Sequence, residues 1–236
     1  MFVENTGAPI RIKFECTQED MEAAGLDCPP DQPCPVYLEL NSVETAGAKM
    51  FIAGNLHTDT GTLYSILLES TDDAQSFAEP EGRMRSTTLD EVLFADLQNG
   101  WVSGWTVDPL PGDPFLFATH DGGKTWRKQF LFEEGKPGAI EQFYLDASGK
   151  GTVLVDVGAG LRYQLHDTMD GGSNWTMRRE SAAPIPFPRQ ASREQDRAWR
   201  IRTDPKTQTF ILEHQQQDEK WRPAARFSIT VGECRE

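Results

Sequence analysis

Apolar residues in this chain come in short runs separated by Gly, Asp and Asn, which is the pattern of brief strands joined by tight turns. The runs Leu63–Leu68, Phe115–Phe117, Arg162–Leu165 and Thr209–Leu212 each precede a polar turn, and each turn leads into a further run: Trp126–Phe132 and Trp175–Arg178 are the clear cases, and Trp221–Ile229 the last. Upstream of two of these pairs lie two more strand-like pieces, Glu91–Asp96 with Trp101–Trp105, and Ile140–Leu145 with Thr152–Val155. The pattern predicts units of four short strands, repeated along the chain.

The turns themselves repeat. Thr119-His120-Asp121-Gly122-Gly123-Lys124-Thr125-Trp126 recurs as Thr168-Met169-Asp170-Gly171-Gly172-Ser173-Asn174-Trp175. A looser copy runs from Ser70 through Asp72 to Phe77, and an eroded one from His214 through Asp218 to Trp221. The closing aromatics fall at 77, 126, 175 and 221, so two intervals are 49 residues and the last is 46. Such spacing marks a repeat architecture. Each position has a structural task. The Asp carboxylate accepts backbone N–H groups of the turn, the first Ser or Thr adds a hydroxyl, and Gly supplies positive φ. The aromatic folds back over the turn.

These residues resemble the Asp-box (BNR-repeat) β-propellers over roughly residues 35 to 230. The segment Phe94-Ala95-Asp96-Leu97-Gln98-Asn99-Gly100-Trp101-Val102-Ser103-Gly104, followed by the turn at Thr119–Trp126, is most similar to the propellers related to photosystem II assembly and stability factors. The resemblance implies an all-β propeller with about four recognisable blades, or with a fifth in which Pro9–Phe14 pairs beside the last strands. It divides the chain into an N-terminal cysteine-containing extension, 1–34, and a propeller, 35–236. The role it implies is non-catalytic: a scaffold, assembly factor or accessory subunit that binds a protein partner or a multisubunit, membrane-associated complex.

Composition narrows the choice further. With 38% hydrophobic and 10% aromatic residues in 236, the chain has the material for a sizeable core. No run is apolar and long enough to cross a membrane as a helix. Residues Met1–Thr6 have neither the basic nor the apolar region of a signal peptide, so none is expected in the chain as written. A net charge of −14 argues against nucleic acid as partner. The charge is uneven, however: between Arg178 and Lys206 bases dominate, through Arg178, Arg179, Arg189, Arg193, Arg197, Arg200 and Arg202. That segment is a candidate docking patch for an acidic partner. The four cysteines, Cys16, Cys28, Cys34 and Cys234, sit only near the two ends. They suit disulfides, with Cys28–Cys34 closing a small loop and Cys16 left to reach Cys234, and hence an oxidising periplasmic or extracellular compartment. No CxxC pair or neighbouring His suggests a metal.

Other chemical signals are weak. Ala118–Thr125 fits a relaxed phosphate-loop pattern, but a strand-like run follows it where a P-loop needs a helix. His57 lies in a loop outside the repeats, without a nucleophile or metal motif around it; that loop and the Pro-rich connection Asp108–Pro114 are candidate contact surfaces for a partner. A sialidase-like glycosidase is the enzymatic alternative, but Ile10-Arg11-Ile12-Lys13 lacks the proline of the sialidase signature, and tyrosines are few: Tyr37, Tyr64, Tyr144 and Tyr163. Trp101 and Trp105 share one face of a strand and are candidate contacts for a protein or a glycan. No cofactor and no metal is expected. Self-association through incomplete closure of the ring is a further expectation.

Overall fold

A computed structural model of the chain describes residues 2–108, 111–158, 160, 162–187 and 198–235. It is nearly all β, with antiparallel sheets and one short helix. The chain forms two compact units, Met1–Asp90 with Arg197–Glu236, and Glu91–Asp196.

The chain opens with β1 (Phe2–Glu4) and α1 (Gln18–Ala24), followed by β2 (Cys34–Ala46), β3 (Lys49–His57), β4 (Thr62–Ser70), β5 (Ser76–Ala78) and β6 (Met84–Arg85). It enters the second unit along β7 (Thr87–Phe94), which begins the sheet continued by β8 (Gly100–Thr106), β9 (Pro114–Thr119) and β10 (Arg127–Phe130). A second four-stranded sheet comprises β11 (Ala139–Leu145), β12 (Gly151–Asp156), β13 (Tyr163–Thr168) and β14 (Thr176–Ser181). The chain then returns to the first unit with β15 (Trp199–Asp204), β16 (Thr209–Gln215), β17 (Trp221–Ser228) and β18 (Thr230–Cys234).

In the first unit β2 to β5 form an antiparallel meander. Leu38 and Leu40 alternate inward on β2 until a bulge between Leu40 and Ser42 resets the register, so that Val43 is buried as well. The termini extend this sheet at both edges, β1 against β5 and β18 against β2. This differs from the expected fifth blade. Pro9–Phe14 forms no strand; Ile10 alone makes a parallel bridge to Phe227, and its backbone exchanges hydrogen bonds with Arg226 and Ser228. β15, β16 and β17 form a separate three-stranded sheet, whose Leu212, Ala225 and Phe227 join the same core as Ile12, Val36, Leu38 and Phe77.

Residues 1–34 pack within this unit. Thr17 and Asp20 form a reciprocal capping box at the start of α1, and Gly25 ends the helix in the left-handed conformation. Asp20 is 3% exposed and accepts hydrogen bonds from Tyr64 and from Arg85 at 2.8 Å. Burial raises its pKa, but the bonds from Tyr64 and Thr17 and the charge of Arg85 outweigh it and hold the carboxyl below its ordinary value. Disulfides join Cys16 to Cys234 and Cys28 to Cys34, the pairing that the spacing favoured. The first ties the N-terminal segment to the last strand.

In the second unit each sheet is a consecutive meander with the repeat turn between its third and fourth strands. Leu93, Trp101, Leu116, Phe143, Leu145, Val153 and Val155 form one core shared by the two sheets. No helix among the described residues is long and apolar enough to cross a membrane.

Candidate functional site

Three of the four repeat turns have one hydrogen-bond design. In the second, Thr119 Oγ1 donates to Asp121 Oδ1 at 2.9 Å and accepts from the Gly123 N–H at 2.9 Å. Asp121 also accepts the Lys124 and Thr125 N–H groups at 3.0 and 2.9 Å, and the Thr125 hydroxyl at 2.7 Å. In the third, Thr168 donates to Asp170 at 2.8 Å and accepts from Gly172 N–H at 3.1 Å, while Asn174 donates twice to the same carboxylate. In the first, Ser70 and Ser76 play the corresponding parts around Asp72. The bonds from Thr125 hold Asp121 down at about 2, and those from Ser76 and Asn174 lower Asp72 and Asp170. A carboxylate so engaged is a poor proton carrier. These aspartates shape turns.

The closing aromatics diverge. Phe77 is 1% exposed and meets Phe227 edge-on at 5.0 Å. Trp126 is buried, stacks on Phe117 at 5.5 Å and donates its indole N–H to Gly123 O at 3.1 Å. Trp175 and Trp221 are only half-buried.

Trp221 opens onto the most distinctive charged surface. The register of the three-stranded sheet sets Arg202, Ile211 and Arg226 side by side across β15, β16 and β17, and Arg200 beside Glu213. Alternation puts all of these side chains on one face, while Leu212 and Ala225 point into the core. Glu213 is 5% exposed and serves two arginines: Arg200 Nη2 at 2.7 Å and Arg202 Nη2 at 3.5 Å. Arg200 also lies over the Trp221 ring, 4.2 Å from its centre. Arg226 is exposed and has no ion-pair partner among the described residues. Two guanidinium groups thus share one carboxylate and a third, Arg226, stands in the same row without one, in a protein whose net charge is −14.

The chain, compared with known proteins, matches no family model and no curated sequence.

The other expected contact residues are dispersed. Arg178 and Arg179 are exposed on β14 of the second unit, Arg178 lying 3.3 Å from Asp167. Arg189, Arg193 and Arg197 lie outside the described residues. Trp101 must be withdrawn as a contact: it is 1% exposed and its indole N–H is spent on Gly171 O at 2.9 Å. Trp105, half-buried, pairs with Pro114 at the end of β8, and residues 109 and 110 of the following loop are not described. His57 is the last residue of β3 and not a loop residue; its Nδ1 is 3.0 Å from Thr58 O, and its ring packs against Tyr37. Among the described residues, no group of three His, Cys, Asp or Glu side chains could hold a metal ion. Sequence reading missed Arg226, which simple alternation from Trp221 would put on the other face and which the register shift between Leu212 and Glu213 brings to this one, and missed Glu213, whose role depends on the pairing of β15 with β16.

Proposed function

We propose that this protein is a four-bladed propeller of Asp-box repeats that acts as a non-catalytic interaction module, docking an acidic protein surface on the Arg200–Arg202–Arg226 face. The propeller reading is supported by four antiparallel sheets, each containing one repeat turn, three of them with the Asp-centred bonding. Two disulfides favour an oxidising, extracytoplasmic setting. An assembly factor or accessory subunit of a larger complex fits this design.

The observation that carries the docking proposal is the shared carboxylate. Glu213 fixes the Arg200 and Arg202 side chains while leaving the sheet face with an excess of two positive charges, counting Arg226. A pre-ordered guanidinium beside a half-buried Trp is the kind of group that contributes most at interfaces, and its charge steers an acidic partner. The test is crosslinked capture of partners from a gently solubilised extract of the source cells. The Arg200→Glu/Arg202→Glu/Arg226→Glu protein should lose the partner retained by the unaltered protein, and raised salt should weaken that capture. Equal capture by both proteins, independent of salt, would overturn the proposal.

A further inference from the structure

The four cysteines of the first unit are neighbours around one core. β18 pairs antiparallel with β2 so that Cys234, the last residue of one strand, lies directly opposite Cys34, the first of the other. Each of the two is bonded elsewhere, Cys234 to Cys16 and Cys34 to Cys28. The two disulfides are therefore brought together through a cross-strand pair. Residues directly opposite in an antiparallel ladder turn their side chains to the same face, with Cα atoms about 4.5–5.5 Å apart. A disulfide usually spans about 4.4–6.8 Å between Cα atoms, and the two bonds present span 5.0 and 5.4 Å. A third bond, Cys34–Cys234, is thus open to the same backbone.

Access and loop length set the order in which these bonds react. Cys28 and Cys234 are fully buried, whereas Cys16 and Cys34 are half-buried. Cys34 closes a loop whose tip, Pro30 to Gln32, is exposed, so a reductant can approach it. Cys28 and Cys34 are only 6 positions apart in sequence, while Cys16 and Cys234 are 218 apart. In the chain-entropy account a bond closing the longer loop stabilises the fold more, so the short-loop bond is the one to open first. Replacing Cys16 by Cys34 as the partner of Cys234 then keeps the long loop almost unchanged in length. Little stability is forfeited, and β18 stays tied to β2.

We propose that the two disulfides form one thiol–disulfide exchange site, acted on by a protein dithiol of the disulfide-isomerase kind. The dithiol opens Cys28–Cys34, giving two electrons and two protons, and leaves as a disulfide. The Cys34 thiolate then attacks Cys234 Sγ. A Cys34–Cys234 bond forms, the Cys16–Cys234 bond breaks, and Cys16 leaves as a thiolate that takes up the proton Cys34 gave. The product holds one disulfide and two thiols, Cys16 and Cys28. Release at Cys16 frees a stretch that lies close on β18, where a Cβ added at Gly232 would come 2.9 Å from Phe14 O. That stretch stays anchored on either side, by Ile10 bridging Phe227 and by Asp20 paired with Arg85. The unit therefore keeps its fold while the segment between those anchors is let go.

The exchange needs nothing bound on the arginine face, and neither proposal depends on the other. Partial reduction of the whole protein tests it. Protein given one equivalent of dithiothreitol is trapped with N-ethylmaleimide, digested without further reduction and mapped by mass spectrometry. A Cys34–Cys234 peptide, with label on Cys16 and Cys28, is the expected product. Cys28→Ala, which leaves Cys34 a free thiol, should carry the same bond and a labelled Cys16 before any reductant is added. Cys34→Ala, which removes the entry thiol, should slow the release of Cys16 by dithiothreitol at least tenfold. The proposal fails if the unaltered protein yields no Cys34–Cys234 peptide, whichever bond dithiothreitol opens. It fails equally if Cys34→Ala releases Cys16 as fast as the unaltered protein does.

Discussion

Three repeat turns keep the Asp-centred bonding and the fourth has lost it, and the two kinds support different surfaces. At Asp72, Asp121 and Asp170 a hydroxyl two residues earlier and N–H groups beyond converge on one carboxylate. In the fourth turn His214 stands where Ser or Thr would, and the backbone closes on itself through Gln216 and Lys220 at 3.0 Å and Glu219 and Gln216 at 2.9 Å. Gln216 stands at the Asp position, and Asp218, two residues on, accepts the Lys220 N–H at 3.2 Å and the Arg222 guanidinium at 3.3 Å and lies 3.8 Å from the Lys220 ammonium. The aromatic then loses its burial and stands under Arg200. Where the motif is intact the turn serves folding. Where it is eroded, the sheet carries a charged outer face.

That contrast can be broken by substitution. The largest effect is expected at the aromatics: Trp126→Ala should cost about 3–5 kcal/mol in denaturant unfolding, as a buried Trp does. Trp221→Ala should cost about 1 kcal/mol or less, because its ring is not core. Next come the carboxylates. Asp121→Ala leaves two hydroxyls and two N–H donors without their acceptor and should clearly lower the unfolding midpoint, by analogy with loss of a helix cap. Asp218→Ala should stay within about 0.5 kcal/mol. Equal losses at the two aspartates would remove the distinction.

Acid sharpens the same point. Asp72, Asp121 and Asp170 have folded pKa values below the ordinary 3.8, so their contribution is complete above that pH and is lost as pH falls through the folded values, about 2 for Asp121. Melting temperature should therefore fall from about pH 4 towards pH 2. The fall should be shallower when all three aspartates are Asn. The smallest effect concerns the looser first copy. Asp73 has φ 54° where the second and third turns have Gly122 and Gly171. Asp73→Gly should stabilise by about 0.5 kcal/mol in thermal unfolding, because a left-handed residue with a Cβ is strained.

The turn motif and its 49-residue interval were legible because both are local: each Ser or Thr, Asp and aromatic acts within eight residues of chain. Cysteine spacing was legible for a similar reason, as Cys28 and Cys34 leave few choices to Cys16 and Cys234. Edge pairing was not. Nothing in Phe2–Glu4 or Thr230–Cys234 announces that these strands flank the first sheet, since pairing across most of the chain depends on register and not on composition. Trp101 read as a contact because alternation gives a face without saying whether that face is covered. Arg226 and Glu213 became meaningful only when β16 brought them into the rows of Arg202 and Arg200.

The most direct test of the central claim, that the eroded repeat carries the binding face, is a lysine crosslinking map of the captured partner complex. Lys220 lies in the eroded turn and Lys206 at the β15–β16 turn, while Lys124 lies in an intact turn and Lys150 at the β11–β12 turn; all four are exposed. Crosslinks concentrated at Lys206 and Lys220 are the predicted result. Crosslinks concentrated at Lys124 and Lys150, with Lys206 and Lys220 unlinked, would contradict it.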